Sequence, residues 1–288
     1  MGFLEALKAY PALLAFTAAF LGLCVGSFLN VVIHRLPKMM EAQWRAECAH
    51  LAGELLAPAE PFNLLQPRSH CPTCAAPIGA WQNVPVVSWM VLRGKCAKCK
   101  APISFRYPAV ELLAGALALA VALRFGYSLA LPAGLIFVWA LLALTFIDLD
   151  TQLLPDDITL PLLWLGLIAN SFNAFTDLQS AVAGAIGGYM LLWLVYWGFR
   201  LIAKKEGMGY GDFKLLAALG AWVGWQVLPV VVLVSACLGA IVGGLLLWRS
   251  KQGMETRIPF GPYLAVAGVI ALLWGREAVT LWIGRFPG

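Results

Sequence analysis

The chain has 288 residues, of which 61% are hydrophobic and only 12% are charged, and its formal net charge is +5 at pH 7. A soluble domain is closer to half apolar and a quarter charged, so this composition excludes a globular protein that faces water on all sides. It predicts an all-α polytopic membrane protein, in which the positive charge reports topology and gives no reason to expect nucleic acid as a partner.

Eight apolar runs are predicted to be membrane helices, each close to the roughly 20 residues that cross a bilayer. They are residues 11–33, 109–123, 129–147, 158–172, 178–202, 213–227, 228–248 and 261–283. The first run is expected to stay as an anchor, because Glu5 precedes it and no small-x-small cleavage site follows it. Three regions follow from this pattern: a first helix in 1–34, a polar insertion in 35–107, and a membrane core of about seven helices in 108–288.

Lysine and arginine set the predicted orientation. With eight alternating helices, one side holds the insertion 35–107, the loops 148–157, 201–212 and 249–259, and the adjoining helix ends with Arg200 and Lys214. Sixteen of the twenty basic residues fall on that side. Cytoplasmic loops carry such an excess, so this side is predicted to face the cytoplasm.

Four cysteines give the insertion the spacing of a zinc-ribbon-like site. Cys71 and Cys74 form one Cys-x2-Cys pair, and Cys96 and Cys99 form a second pair after twenty-one residues. Four thiolates close a tetrahedral zinc and leave no open position for catalysis, so the predicted zinc is structural. It would let a small insertion fold with little core of its own. Two disulfides or a redox dithiol are the alternative, against which a cytoplasmic location argues.

Two aspartates at the ends of apolar runs are the candidate catalytic groups. Asp148 follows the run 129–147, near a helix C-terminus where the dipole disfavours negative charge, so capping does not explain it. Asp212 closes the turn Gly209-Tyr210-Gly211-Asp212, and an N-cap or a functional group explains it equally well. Asp156 and Asp157 precede the fourth run and are interpreted as caps.

Paired carboxylates in a membrane suggest acid–base chemistry. Ionisable groups at the edge of a bilayer are costly to desolvate and tend to be kept for function. Two like charges a few ångströms apart cannot both ionise, so one carboxyl holds a proton while the other does not. The pair Asp148 and Asp212 therefore favours an aspartyl protease.

With these residues identified, the chain resembles the type IV prepilin peptidases, membrane aspartyl enzymes of pilus and type II secretion systems. The resemblance covers nearly the whole chain. It rests on Gly26-Ser27-Phe28-Leu29-Asn30 with its continuation to Pro37, the paired Cys-x2-Cys insertion, Arg106-Tyr107-Pro108 with Glu111-Leu112-Leu113, Asp148 to Pro155, the Gly-x-Gly-Asp turn, and Pro259-Phe260-Gly261-Pro262-Tyr263.

The resemblance implies a bifunctional enzyme. Asp148 and Asp212 match the two catalytic aspartates of the family, which cuts the basic leader from prepilins and pseudopilins on the cytoplasmic side, between glycine and phenylalanine. Members with the cysteine insertion commonly methylate the new N-terminus with S-adenosylmethionine. No Gly-x-Gly-x-x-Gly loop opens a helix here, so the sequence does not identify the pocket of that methyl donor. The implied partners are the prepilin substrates and membrane lipid.

Some residues and two other functions stay open at this stage. Glu111 is either functional or paired with Arg106, while Asn30 and Arg35 either line a site or anchor the first helix to headgroups. One alternative function is a presenilin-like intramembrane Gly-x-Gly-Asp protease with other substrates. The other is a transporter or assembly scaffold whose aspartates relay protons.

Overall fold

The computed structural model describes residues 2–54, 61–204, 208–249 and 259–283. Within these ranges the chain is helical apart from its connections, and the only β-pairing is two isolated bridges, His70 with Pro77 and Lys95 with Pro102. The predicted all-α fold is confirmed. Four basic residues counted for the orientation lie outside the described ranges, namely Lys205, Lys251, Arg257 and Arg285.

All eight predicted membrane segments are helical. The α-helices of the described residues are α1 Phe3–Ala9, α2 Pro11–Leu51, α3 Val87–Val91, α4 Arg106–Phe125, α5 Ala130–Thr151, α6 Asp156–Ser171, α7 Leu178–Ala203, α8 Tyr210–Val223, α9 Leu228–Arg249 and α10 Gly261–Ile283. Six of them, α2, α4, α5, α7, α9 and α10, are long and apolar enough to cross a membrane. With 16 and 14 residues, α6 and α8 are shorter than a full span of roughly 20. The described part therefore belongs to a multi-pass membrane protein with six candidate spans.

Helix α2 is longer than the apolar pattern predicts. The apolar run ends at residue 33, but the helix continues through Pro37 to Leu51, which makes it 41 residues long. At 1.5 Å per residue it measures about 61 Å, twice the roughly 30 Å of a hydrocarbon core. The first part of the polar insertion is therefore a continuation of the first helix and not a separate element.

The chain divides into two compact units, Met1–Tyr127 and Ser128–Gly288. In the first unit α2 packs closely against α4 at Gly26, where an added Cβ would lie 2.6 Å from the Cα of Glu111. One turn further along α2, the Asn30 side chain donates a hydrogen bond to the carbonyl oxygen of Tyr107 at 3.1 Å. Asn30 therefore links α2 to the first turn of α4.

In the second unit the short helix α8 is the centre of the packing. Its residues from Asp212 to Val223 are almost all buried, and it contacts α6, α7, α9 and α10. Helices α7 and α8 touch through their backbones, because a Cβ added to Gly220 would lie 2.1 Å from the carbonyl oxygen of Gly184. Close packing through small residues is the usual way for membrane helices to associate.

A buried asparagine joins α6 to the far end of α8. The Asn170 amide donates to the carbonyl oxygens of Ala221 and Trp222 at 2.8 and 3.0 Å, and its oxygen accepts from the N–H groups of Phe175 and Thr176. The side chain is fully buried, so these four bonds use all its hydrogen-bonding capacity inside the protein.

We expect Asn170→Ala to lower the free energy of unfolding by about 3 kcal/mol, because it leaves buried amide and carbonyl groups unpaired. Thermal unfolding of the purified protein in detergent measures the loss. Ser171→Ala is the matched control, since the exposed hydroxyl of Ser171 bonds only to Ile168 of its own helix. Equal midpoints for the two variants would contradict this role of Asn170.

Candidate active site

Asp148 lies in the last turn of α5, which ends at Thr151 with Gln152 in the left-handed conformation. Its carboxylate is buried and accepts a hydrogen bond from the backbone N–H of Gly261 at 3.0 Å. Gly261 is the first residue of α10, and the first N–H groups of a helix have no partner within it. The Asp148 carboxylate lies at the C-terminal end of α5, where the helix dipole disfavours negative charge. The N-terminus of α10 binds it instead.

Asp212 is also buried, in the first turn of α8. The helix begins at Tyr210 and its N-cap is Gly209, so Asp212 is the third helical residue. The interpretation of Asp212 as an N-cap is therefore wrong.

The loop after α5 brings the two aspartates together. Leu154 packs against both glycine segments, since a Cβ on Gly211 would lie 2.8 Å from Leu154 Cβ and one on Gly261 would lie 3.1 Å from Leu154 Cδ2. The carboxylates of Asp148 and Asp212 are close enough to interact electrostatically. Both also lie at the N-terminus of a helix, α10 for Asp148 and α8 for Asp212.

The neighbouring acidic residues are not part of this pair. Asp150 is exposed, and Asp156 forms a two-oxygen ion pair with Lys214 on α8, at 2.6 and 2.8 Å. The N-cap of α6 is Pro155, so Asp156 connects α6 to α8 and does not cap its own helix as predicted. The ion pair is largely exposed and contributes on the order of 1 kcal/mol or less.

Gly261 was not predicted as a site residue, although it lies in a motif that the sequence contains. We expect Gly261→Ala to reduce the peptidase activity that the resemblance implies by about 100-fold, because the new Cβ would lie 2.6 Å from Asp148 Oδ2 and force the carboxylate to move. Turnover of a purified prepilin measures the effect.

Gly187→Ala on α7 is the matched control, since its Cβ would meet only Leu228 Cδ1, at 3.7 Å. If Gly261→Ala is as active as Gly187→Ala, the enzyme tolerates displacement of the Asp148 carboxylate and the prediction is wrong.

The four cysteines of the insertion converge. All four Sγ atoms lie within 4.8 Å of one another, and the sulfur atoms of Cys71 and Cys99 are 3.8 Å apart. A tetrahedral zinc with Zn–S bonds of about 2.3 Å places its sulfurs about 3.8 Å apart. The cluster therefore fits a single tetrahedral metal ion, and none of its four cysteines forms a disulfide.

The two cysteine pairs belong to an eight-residue repeat, Cys71-Pro-Thr-Cys-Ala-Ala-Pro-Ile78 and Cys96-Ala-Lys-Cys-Lys-Ala-Pro-Ile103. In each copy the N–H of the first cysteine donates to the alanine carbonyl five residues later, and the residue after the second cysteine has a positive φ. Each copy also ends in one of the two β-bridges. The insertion thus presents two equivalent turns, and the repeat is a sequence signal that the cysteine spacing alone did not reveal.

Backbone N–H groups prepare the first cysteine of each turn for metal binding. The N–H groups of Cys74 and Thr73 lower the pKa of the Cys71 thiol to about 6. Those of Cys99 and Lys98 lower the pKa of Cys96 in the same way. Because the thiolate is the form that binds metal, these lowered pKa values favour metal binding by Cys71 and Cys96.

Other polar residues of the first unit hold the insertion in place. Arg35 is buried, and its guanidinium donates to the carbonyl oxygens of Asn63 and Pro67 at 2.9 and 2.6 Å, so it does not anchor α2 to headgroups. Glu111 is buried as well, and it accepts from the Val86 N–H at 2.7 Å and from the Ser27 hydroxyl. In the sequence, Arg35 and Ser27 belong to one motif and Glu111 to another. Neither motif predicted the hydrogen-bond partners that these side chains have in the structure.

Comparison with known proteins gives a consistent result over both units. Residues 20–125 match the family model described as the bacterial peptidase A24 N-terminal domain, and residues 135–244 match that of the type IV leader peptidase family. The chain is 54% identical over 283 residues to the prepilin leader peptidase/N-methyltransferase of Stutzerimonas stutzeri, with 97% of each chain covered. It is 51% identical over 289 residues to the protein of that name from Pseudomonas aeruginosa, covering 100% of this chain and 99% of the other. No solved structure matches it.

Proposed function

The chain belongs to the type IV leader peptidase family, and on that premise we propose that it cleaves the leader from type IV prepilins or type II secretion pseudopilins and methylates the new N-terminus. The observation that carries the peptidase assignment is the convergence of two buried aspartates at two helix N-termini. A presenilin-like protease or a transporter would not require the four-cysteine insertion.

Asp148 and Asp212 are proposed as the catalytic pair. One carboxylate, ionised, accepts a proton from the water that attacks the scissile carbonyl, while the other, protonated, donates to the developing oxyanion. The Gly261 N–H occupies one oxygen of Asp148 and orients the group, which leaves its other oxygen for the water. Burial keeps competing bulk water away from the pair.

The position of the pair suits the substrate. Asp148 is at the end of a candidate membrane span, so a prepilin's apolar helix stays in lipid while its leader reaches the aspartates from outside. The sixteen basic residues support a cytoplasmic orientation for this side, with eight helices crossing the inner membrane. That number requires α6 and α8 to cross the bilayer despite their length; α8 is buried among the other helices, whereas α6 leaves Trp164 and Ile168 exposed.

Cys71, Cys74, Cys96 and Cys99 are proposed to hold one structural zinc. The ion would fix the two turns of the insertion against each other and would take no part in bond breaking, because all four coordination positions are filled by thiolates. S-adenosylmethionine supplies an electrophilic methyl group, and the free N-terminal amine of the cut pilin is the acceptor. We propose 1–34, 35–107 and 108–288 as anchor, zinc insertion and peptidase core.

The proposed function is tested by expressing the protein with a prepilin in a bacterium that lacks its own leader peptidase. Mass spectrometry of the pilin reports leader loss and the added methyl group separately. We expect a pilin that is both cut and methylated. Full-length, unmodified prepilin would overturn the assignment, and cleavage without methylation would remove its second half.

A further inference from the structure

Residues 81–92 of the insertion form an uncharged, apolar segment that folds as a short 3-10 turn, Ala80–Asn83, followed by helix α3. Several of its large side chains are exposed on the protein: Trp81, Val84, Val87, Met90 and Val91. A cluster of exposed apolar side chains indicates contact with lipid or with another protein.

The charged residues that flank this segment in the sequence are all basic, although Glu111 of α4 contacts it. Between residues 61 and 110 the chain has no aspartate or glutamate, and its basic residues there are Arg68, Arg93, Lys95, Lys98, Lys100 and Arg106. Even a bound zinc with four thiolates, which together are negative, leaves this region basic. Basic residues beside an apolar segment are typical of elements that bind anionic lipid surfaces.

The contact between Val86 and Glu111 gives the depth of the segment. Glu111 is five residues into α4, so the Val86 N–H that it binds lies about 7.5 Å along the helix from Arg106. The 20 residues of α4 measure about 30 Å, the thickness of the hydrocarbon core, which places Arg106 at its edge. Val86 therefore lies at the depth of roughly 5–10 Å at which interfacial helices bury their apolar face.

This depth is fixed by the structure around the segment. Val86 has φ +60° and ψ −49°, a conformation outside the favoured regions that costs a β-branched residue on the order of 1–3 kcal/mol, and the Glu111 carboxylate binds its N–H. At the other end of α3 the Trp89 indole donates to the Ile103 carbonyl of the second cysteine turn at 3.2 Å. The segment is thus attached both to the membrane helix and to the four-cysteine cluster.

We propose that residues 81–92 are an interfacial membrane element, whose apolar side chains enter the acyl layer while Arg93, Lys95 and Arg106 bind the anionic headgroups of the same leaflet. Charge complementarity and depth favour lipid over a protein partner as the occupant of this surface. The proposal does not depend on the reaction that the protein catalyses.

A matched control position follows from the same measure of depth. Gly26 of α2 lies beside Glu111, and Arg35, nine residues later, is about 13.5 Å further along that helix. Arg35 holds the loop 63–67, which contains Leu65, an apolar residue 82% exposed. Leu65 is as exposed as the residues of α3 but lies beyond the edge of the hydrocarbon core.

The test places the photo-reactive amino acid benzoylphenylalanine at position 90 or at position 65 of the full chain, reconstituted in nanodiscs containing phosphatidylglycerol. After illumination, mass spectrometry identifies what each position has captured. We expect at least about tenfold more lipid adduct at position 90 than at position 65. Position 87 replaces position 90 if that variant fails to fold, judged by its zinc content.

Equal lipid adducts at the two positions would overturn the proposal, as would their absence from both. Adding a prepilin tests whether the surface binds substrate instead of lipid. Lipid adducts that persist support an interfacial element. Prepilin adducts that replace them identify a substrate-binding surface and contradict the proposal. The role of charge is read from phosphatidylcholine nanodiscs, in which we expect amide exchange of residues 87–92 to be faster. Unchanged exchange would contradict headgroup binding by the basic residues.

Discussion

Asp148→Asn and Asp212→Asn are each expected to reduce the rate of leader cleavage by about 10²- to 10⁴-fold, the usual contribution of a general acid or base. Asparagine keeps the size of the side chain, and at position 148 its oxygen still accepts from the Gly261 N–H. The variants should therefore fold normally and bind prepilin while they lose proton transfer. Turnover of purified prepilin under single-turnover conditions measures the effect on the chemical step.

Asp150→Asn is the matched control for these two variants. Asp150 is on the same helical turn as Asp148 but is exposed, so we expect its loss to change cleavage by less than about threefold. A control variant as inactive as Asp148→Asn would show that the acidic cluster acts as a whole and would contradict a two-residue centre.

The second large effect is expected from the cysteine cluster. Cys71→Ser should lower zinc affinity by about 100-fold or more and abolish methylation, while cleavage by the same preparation continues. The reason is that the insertion has little core beyond its two turns, whereas Asp148 and Asp212 belong to the other compact unit, whose core is formed by its own helices. Zinc content by atomic absorption and the methyl group on the pilin are the two measurements.

Cys48→Ser is the control, because Cys48 is an exposed cysteine of α2 outside the cluster. It should retain zinc and both activities. If Cys71→Ser keeps methylation after losing its zinc, the metal does not support that reaction; if it loses cleavage as well, the insertion and the peptidase centre are not separable.

Much of this structure was predictable from local signals. Apolar runs predicted eight membrane helices because a membrane segment must be apolar over most of its length; each of the eight segments is helical, and six of them are long enough to be candidate spans. Spacing alone predicted the convergence of Cys71, Cys74, Cys96 and Cys99, since a tight turn brings each pair together. The end of α2 was not predictable in this way, because residues 34–51 form a polar helix that leaves the apolar run.

The polar contacts between distant residues had no local signal. Asp148 and Gly261 are 113 residues apart, and nothing near either one indicates a hydrogen bond between them. The same holds for Arg35 with Pro67 and for Glu111 with Val86, where a backbone group is the partner. Any residue can supply a backbone group, so such a partner leaves no trace in composition or periodicity.

The most direct test of the account supplies Asp212→Asn with prepilin and, in parallel, with pilin whose leader has already been removed. Mass spectrometry measures cleavage in the first sample and methylation in the second. The account predicts uncut prepilin and methylated pilin, which would place Asp212 in the peptidase centre alone. Cut prepilin would contradict it, because the buried carboxylate of α8 would then have no part in the chemistry.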